Sequence, residues 1–584
     1  MQVLVKGKSK AFVENANSLA RTGPLWVFFD EINTCNHMGL LTSIITDRSL
    51  YGQSLSDNLR FFAACNPYRL RKIPTDAADA YASKEYFYEE QSKLVYQVHP
   101  VPEALLDYIW DYGVLSPLDE NLYTQHMVTH SMSNFAESQM FAEMLCMSQE
   151  HIRSIDGEHS VSLRDIKRAI ELARFFRQSL ESRAALKTKR ASYPQADDIP
   201  QRSMVLALVV SYQCRLYRHE DRRKYRENLG NIFAKFKNPI TTQGILEIFH
   251  HDAIDYFNRM ICGDDVAPSE ALLENMLATI ACILTNIPIF VVGAPGSSKS
   301  LALKLINQNL RGADSNDPYF AHCLNTISRF HYVHVCGSTK SVSKGNEVSR
   351  DELEATSYQI SRAIGRGALL VQRPSMNHIE LADVGIKIYQ KEAANRNADP
   401  PPKELFVRLT DAFIHYQKSQ SNKNFHGLRD YYSLVKTLGK QGLSREAMQN
   451  GLLRNFGGAP CRNSEVYHEF ENVLAMCHTN GQKRDTSDHN ILEIIDANLQ
   501  DSNSRHLMLI GDKNSVVDIL NYHLKSYDME AVVLWGSQYP EDNTSDYAYS
   551  ILNKVLMCVE QGQPVVLTNL KAVYGELSYI RLLH

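Results

Sequence analysis

The stretch Pro288-Ile289-Phe290-Val291-Val292-Gly293-Ala294-Pro295-Gly296-Ser297-Ser298-Lys299-Ser300 decides how this chain is read. Pro288–Val292 is a short apolar run of strand type, and a helical pattern resumes after Lys299. A glycine-bearing loop between a strand and a helix is the setting that a phosphate-binding loop needs. There the glycines let backbone N–H groups close around phosphate oxygens, and the helix N-terminus adds positive potential. Lys299 is placed to reach the β- and γ-phosphates of ATP, and the Ser300 hydroxyl to sit on Mg²⁺. One position departs from the usual pattern. Ser298 stands where a glycine normally precedes the lysine, which costs affinity if the backbone there must take positive φ.

Working outward, the same order of elements recurs. Upstream, Leu25–Phe29 reads as a strand ending in Asp30-Glu31, and Leu59–Ala64 as a second ending at Cys65-Asn66-Pro67. Helical periodicity then dominates from about Glu103 to Phe236, with Arg164–Phe176 clearly amphipathic, and the polar, proline-bearing Tyr193–Arg202 reads as a linker. The cycle restarts with helix Glu270–Leu284, the strand and loop just described, strands at Phe330–Val335 and Ala368–Gln372, and a break at Asp399–Lys403 before a second helical block. A third cycle offers strands at Leu507–Ile510, Val532–Trp535 and Pro564–Leu567. Ser162-Leu163-Arg164-Asp165 opens a helix in the first block and Gly427-Leu428-Arg429-Asp430 in the second. Repetition at domain length indicates tandem copies of one fold, each an α/β core with a helical lid.

Bulk properties exclude several classes. At 584 residues the chain has room for two or three domains. A formal net charge of -4 lacks the basic excess of a nucleic-acid binder. No apolar run is long enough for a transmembrane helix, and no secretory signal opens the chain. The 11 cysteines are scattered without a C-x-x-C pair, which speaks for reduced thiols and against structural zinc.

The run Trp26–Glu31 has the form of an apolar strand delivering two acids. Asp30 would hold Mg²⁺, and Glu31 would orient and deprotonate an attacking water. An acidic pair after a strand is commonly just a solvated strand end. Asn66 adds weight, one strand later, where AAA+ ATPases keep a polar sensor of the γ-phosphate, as does Arg164, where they carry a lid arginine. No phosphate loop precedes Asp30, so this module's loop is expected upstream of Met1.

Phe29-Asp30-Glu31-Ile32-Asn33-Thr34-Cys35-Asn36, Ala64-Cys65-Asn66-Pro67-Tyr68-Arg69 and Gly427-Leu428-Arg429-Asp430-Tyr431-Tyr432-Ser433-Leu434 closely resemble the mysterin family. Tyr539-Pro540-Glu541-Asp542 and Cys558-Val559-Glu560-Gln561-Gly562 look like the degenerate module that follows in that family. Mysterins are giant dynein-like AAA+ proteins that also carry a RING finger and act as ubiquitin ligases. The resemblance implies an α/β chain of tandem AAA+ modules within a six-module ring, with neighbouring modules and the ubiquitin machinery as partners. It also implies ATP and Mg²⁺ as cofactors, Arg429 as the lid arginine of the second module, and a cytosolic setting that includes the lipid-droplet surface. The ligase parts of the family are absent from this stretch.

Details of the second and third modules qualify that expectation. No apolar strand ending in Asp-Glu serves the loop at Gly293–Ser300, and the interval has room for only one or two strand–helix units of about 30 residues each. The economical reading is a segment missing between about Asp351 and Gly365, by splicing or an imperfect gene model, so that the second module binds ATP and hydrolyses it poorly. Arg366 reads either as an arginine finger toward the first module or as a surface loop arginine. In the third module Gly511-Asp512-Lys513-Asn514-Ser515 lacks Gly-Lys-Ser and Thr568-Asn569 replaces the acids, which fits a scaffold. The charged run Arg215–Arg226 reads as a solvated helix face. Expected boundaries are residues 1–235, 236–480 and 481–584. The leading function is an ATP-binding and hydrolysing motor segment; the alternative is a nucleotide-stabilised scaffold without turnover. A small P-loop kinase would have no use for the repeated lid motifs.

Overall fold

The computed structural model describes residues 14–66, 98–185, 198–323, 368–394, 401–457, 468–477, 491–500 and 515–570, with short interruptions, together with Leu507 and Leu509. Four pairs of short strands are embedded in helices. They are β1 (Leu25–Phe29) with β4 (Leu59–Ala63), the hairpin β2 (Ser49–Leu50) and β3 (Gln53–Ser54), β5 (Ile289–Val292) with β6 (Leu369–Gln372), and β7 (Val532–Trp535) with β8 (Val565–Thr568). All but the hairpin are parallel. Small parallel sheets among many helices fit the expected AAA+ α/β fold. Among the described residues no helix is long and apolar enough to cross a membrane.

The helices used below are α1 (Met38–Ile45), α2 (Pro117–Ser131), α3 (Phe135–Asp156), α4 (Leu163–Ala185), α5 (Ile199–Ser211), α6 (His219–Lys235), α7 (Thr242–Asn258), α8 (Glu270–Leu284), α9 (Lys299–Asn309), α10 (Pro318–Cys323), α11 (His378–Ala393), α12 (Lys403–Ser419), α13 (Leu428–Gln441), α14 (Arg445–Phe456), α15 (Glu471–Met476), α16 (Ile491–Leu499), α17 (Ser515–Lys525) and α18 (Ser545–Glu560). The chain forms two compact units. One comprises Met1–Asp255, Leu277–Val292 and Asp351–Pro374; the other comprises Tyr256–Met276, Gly293–Arg350 and Ser375–His584.

In the first unit β1 alternates as a strand should: Leu25, Val27 and Phe29 pack on a core with Leu41, Ile44 and Leu59, while Trp26 and Phe28 face outward. On that outer face Trp26 stacks on Phe62 of β4 at 4.7 Å between ring centres. The helices α2–α7 are tied together by charge. Arg183 of α4 is fully buried and pairs with Asp252 at 2.6 Å and Asp255 at 2.7 Å, both on α7. Burial pushes the Asp252 carboxyl up against the pull of Arg183. Two further arginines reach backbone carbonyls at the β6 end: Arg168 donates to Ala368 O at 3.3 Å and Arg222 to Gln372 O at 2.7 Å. The expectation of a solvated face over Arg215–Arg226 is thereby corrected. Glu220, Arg223, Lys224 and Glu227 are exposed, but Arg222 is buried and Arg215 donates to Asp156 at 3.0 Å. Arginine is suited to this because its planar fork satisfies several acceptors at once. The linker expected at Tyr193–Arg202 also needs correcting at its end. α5 begins at Ile199, with Pro200 in its first turn, where a missing N–H costs nothing.

In the second unit α11–α15 enclose a core rich in aromatic rings, including Tyr389, Phe406, Phe413, Tyr416, Tyr431, Phe456 and Phe470. Its buried polar atoms are neutral and paired: Thr410 with Tyr431 at 2.8 Å, and Tyr416 with His426 at 2.7 Å. β7 and β8 share a smaller core with α18 through Leu534, Ile551 and Val555. Of the strand expected at Leu507–Ile510, the described residues Leu507 and Leu509 are not in a strand. The strand expected at Phe330–Val335, the Asp351–Gly365 interval and Gly511–Asn514 lie outside the described residues.

Candidate nucleotide site

The loop after β5 has the backbone that its sequence asks for. Gly296 takes φ +90°, and Ser298 takes φ 57° and ψ 15° as the cap of α9. Both are left-handed. Glycine does this freely; serine does it at a cost, so the departure noted in the sequence falls where strain is greatest. Such left-handed turns make a concave nest of N–H groups just before a helix, which favours an anion. Ala294 and Pro295 lie outside the described residues. Lys299 opens α9 and its ammonium donates to Gly293 O at 2.6 Å and to Ser297 Oγ at 3.3 Å. Ser300 follows, exposed, in the first turn of the same helix.

The helix α13 closes over this loop. Its first turn is capped by Asp430, whose carboxylate accepts from the Gly427 N–H at 2.7 Å, the reciprocal half of a capping box. That cap turns Leu428 onto the loop: a Cβ placed on Gly296 would lie 2.8 Å from Leu428 Cβ. Arg429, the next residue, stays exposed. Burial, with the Arg429 guanidinium adding to it, pulls the Lys299 ammonium down to about 8. Two cations at such quarters are the charge pattern that an arriving polyanion relieves.

In the first unit β1 and β4 run parallel with Phe29 opposite Ala63, so Asp30, Glu31 and Asn66 gather at one end of the pair. Asp30 and Glu31 are exposed, and Glu31 is held at φ 48° and ψ 47°. The buried Asn33 draws the two strand ends together. Its Nδ2 donates to Asn66 O at 2.7 Å and its Oδ1 accepts from the Asn66 N–H at 3.3 Å. Nothing in the local pattern distinguished Asn33, because its value depends on a partner one strand away. Arg164 lies exposed in the first turn of α4, and Asp165 there repeats the cap, accepting from the Ser162 N–H at 2.8 Å. Arg366 lies outside the described residues. The structure thus brings together the loop with Arg429, and separately Asp30 and Glu31 with Asn66.

Comparison with known proteins bears on both regions. Two protein-family models, each described as an RNF213 AAA domain, match residues 265–366 and 496–580. The mouse E3 ubiquitin-protein ligase RNF213 is 26% identical over an alignment covering 94% of this chain. The human protein of that name is 25% identical over 94% of this chain, and zebrafish E3 ubiquitin-protein ligase rnf213-beta 26% over 94%. Together these matches support an internal AAA segment of the mysterin (RNF213) type. The chain spans about 12% of the length of these mysterin relatives. The alignment to the mouse relative runs over 649 residues, more than the 584 in this chain, so that mysterin has stretches with no counterpart here. The stretch 265–366, matched by one of these models, includes the loop and Lys299.

Proposed function

We propose that this chain is an ATP-binding and hydrolysing segment of a mysterin-like E3 ubiquitin-protein ligase. Its AAA+ modules would stand in tandem over residues 1–235, 236–480 and 481–584. The observation that carries the reading is the loop Gly293–Ser300, with left-handed Gly296 and Ser298 before α9, the Lys299 ammonium on the Gly293 carbonyl, and the Arg429 guanidinium near enough to act on that ammonium. Backbone N–H groups of the loop would take the phosphates of ATP, Lys299 the β- and γ-oxygens, and Arg429 the γ-phosphate from the lid. Mg²⁺, held by Ser300 here and by Asp30 in the first module, would neutralise charge on the phosphates. Glu31 would take a proton from the attacking water, Asn66 would hold that water or the γ-phosphate, and Arg164 would serve as lid arginine. Arg366 is kept as the finger offered to the first module.

The repeated cap supports tandem copies: Ser162–Asp165 and Gly427–Asp430 place the same Leu-Arg pair at a helix start by the same hydrogen bond from a backbone N–H to the aspartate. The mouse relative has stretches that this chain lacks, and the reading puts one of them in the second module, between Asp351 and Gly365. Such a module would bind ATP and turn it over slowly, and the third would act as scaffold. A cytosolic setting, the lipid-droplet surface included, and work beside the ubiquitin machinery belong to the same reading.

Calorimetric titration with Mg-ATP tests it. The wild-type chain should bind one nucleotide per loop, and Lys299→Ala should weaken binding at least a hundredfold; equal affinity in the two proteins would sink the assignment. Hydrolysis separates a motor from a scaffold. In the complete polypeptide Glu31→Gln should abolish turnover, and an unchanged rate would favour a shape-holding role for ATP.

A further inference from the structure

Two consecutive peptide groups of the loop are held from outside by side chains of two different helices. Tyr432, one turn into α13, donates its hydroxyl to Gly296 O at 3.3 Å. Asn275 of α8, buried, donates its Nδ2 to Ser297 O at 2.9 Å. In a planar trans peptide the C=O and the following N–H point in opposite directions. Drawing the carbonyls of Gly296 and Ser297 outward therefore turns the N–H groups of Ser297 and Ser298 to the other side of the loop. Free loops lose this orientation readily, since each peptide can flip; a flip here would break a hydrogen bond with a buried or half-buried partner.

We propose that Tyr432 and Asn275 are positioning residues for the phosphate nest, and that Tyr432 makes nucleotide affinity depend on the seating of the lid helix. This rests on the nucleotide reading of Gly293–Ser300. The ring of Tyr432 also packs on the loop, its Cε2 lying 3.5 Å from a Cβ placed on Gly296, and its hydroxyl lies 3.9 Å from Met376 Sδ. The hydroxyl stays a donor throughout the physiological range, because burial and the nearby Glu380 push its ionisation upward. A phenylalanine at position 432 keeps the packing and removes only the hydrogen bond to the carbonyl. The nest would then share its time between peptide orientations, and phosphate would meet the productive one less often.

Mg-ADP is the probe, titrated calorimetrically into wild-type chain, Tyr432→Phe and Lys299→Ala, with the thermal midpoint of each measured without nucleotide. Tyr432→Phe should weaken Mg-ADP five- to tenfold, the effect of one hydrogen bond, while shifting the midpoint by no more than a degree or two. Asn275→Asp, which sets an acceptor against Ser297 O, should weaken it at least as much. Wild-type affinity in both Tyr432→Phe and Asn275→Asp overturns the proposal. A drop in affinity that only tracks a drop in midpoint overturns it too, since that marks a packing role. If Lys299→Ala also binds like wild type, the nucleotide reading itself falls, so the two failures are told apart.

Discussion

The helical blocks of the two units share one helix-start signature and are filled by opposite chemistry. α4 starts Leu163-Arg164-Asp165 and α13 starts Leu428-Arg429-Asp430, each capped by its aspartate. Behind the first lies a buried arginine with two buried aspartates, Arg183 with Asp252 and Asp255, and two more arginines on backbone carbonyls. Behind the second lies a cluster of aromatic rings whose polar atoms are neutral. A charged interior is unforgiving, because losing one partner strands the others away from water. An aromatic interior tolerates the loss of single polar atoms, because most of its stability is spread over ring contacts. The shared cap sets where each helix starts; it does not decide what the helix packs on.

Mutations can break this contrast. Arg183→Met should cost about 3–5 kcal/mol by removing the buried guanidinium that Asp252 and Asp255 share. Urea unfolding followed by circular dichroism would show it, and a loss below about 1 kcal/mol would mean that the triad is not a stability element. Tyr431→Phe, which deletes the hydroxyl bound to Thr410 in the aromatic core, should cost only about 1 kcal/mol in the same assay. A cost as large as that of Arg183→Met would erase the distinction. Asp430→Ala should lose about 1 kcal/mol of helix capping, and Asp165→Ala more, because Asp165 also pairs with the buried Arg168 at 3.1 Å. Ser298→Gly relieves a left-handed serine and should stabilise by up to about 1 kcal/mol, with no loss of nucleotide affinity.

The smallest effect expected is a pH dependence confined to the aromatic block. Burial holds the His426 imidazole below its ordinary value of 6.5, against a weaker opposite pull from Asp430. The folded state therefore keeps His426 neutral while the unfolded chain takes up a proton. Stability is fully present above about 6.5 and declines as pH falls through that value toward the folded-state pKa. Thermal midpoints between pH 7.5 and 5 should fall less in His426→Asn than in wild type, and parallel curves would remove His426 from the account.

Much of this was readable along the chain. Strand β1 spans the expected Leu25–Phe29, helix α8 the expected Glu270–Leu284, and β7 the expected Val532–Trp535. Ser298 takes the left-handed backbone that its place before Lys299 implies. These features come from neighbours in sequence: β-type apolar runs, helical periodicity, and a glycine loop that admits few conformations. The charged run after Arg215 was misleading because charge alone says nothing of the surface it meets. Arg222 finds its acceptor at Gln372, 150 positions away.

The sequence by itself determined an α/β chain with a phosphate-type loop at Gly293–Ser300, an acidic strand end at Asp30-Glu31 and two helices opened by Leu-Arg-Asp. Each is a local pattern whose physics is contained in a dozen residues. Only the tertiary structure decided that Asn33 ties Asn66 to the acids' strand, that Arg168 and Arg222 grip β6, and that Tyr432 and Asn275 reach the loop. Those are contacts between residues far apart in sequence. Their partners are backbone atoms carried by every residue, so no residue type could have announced them.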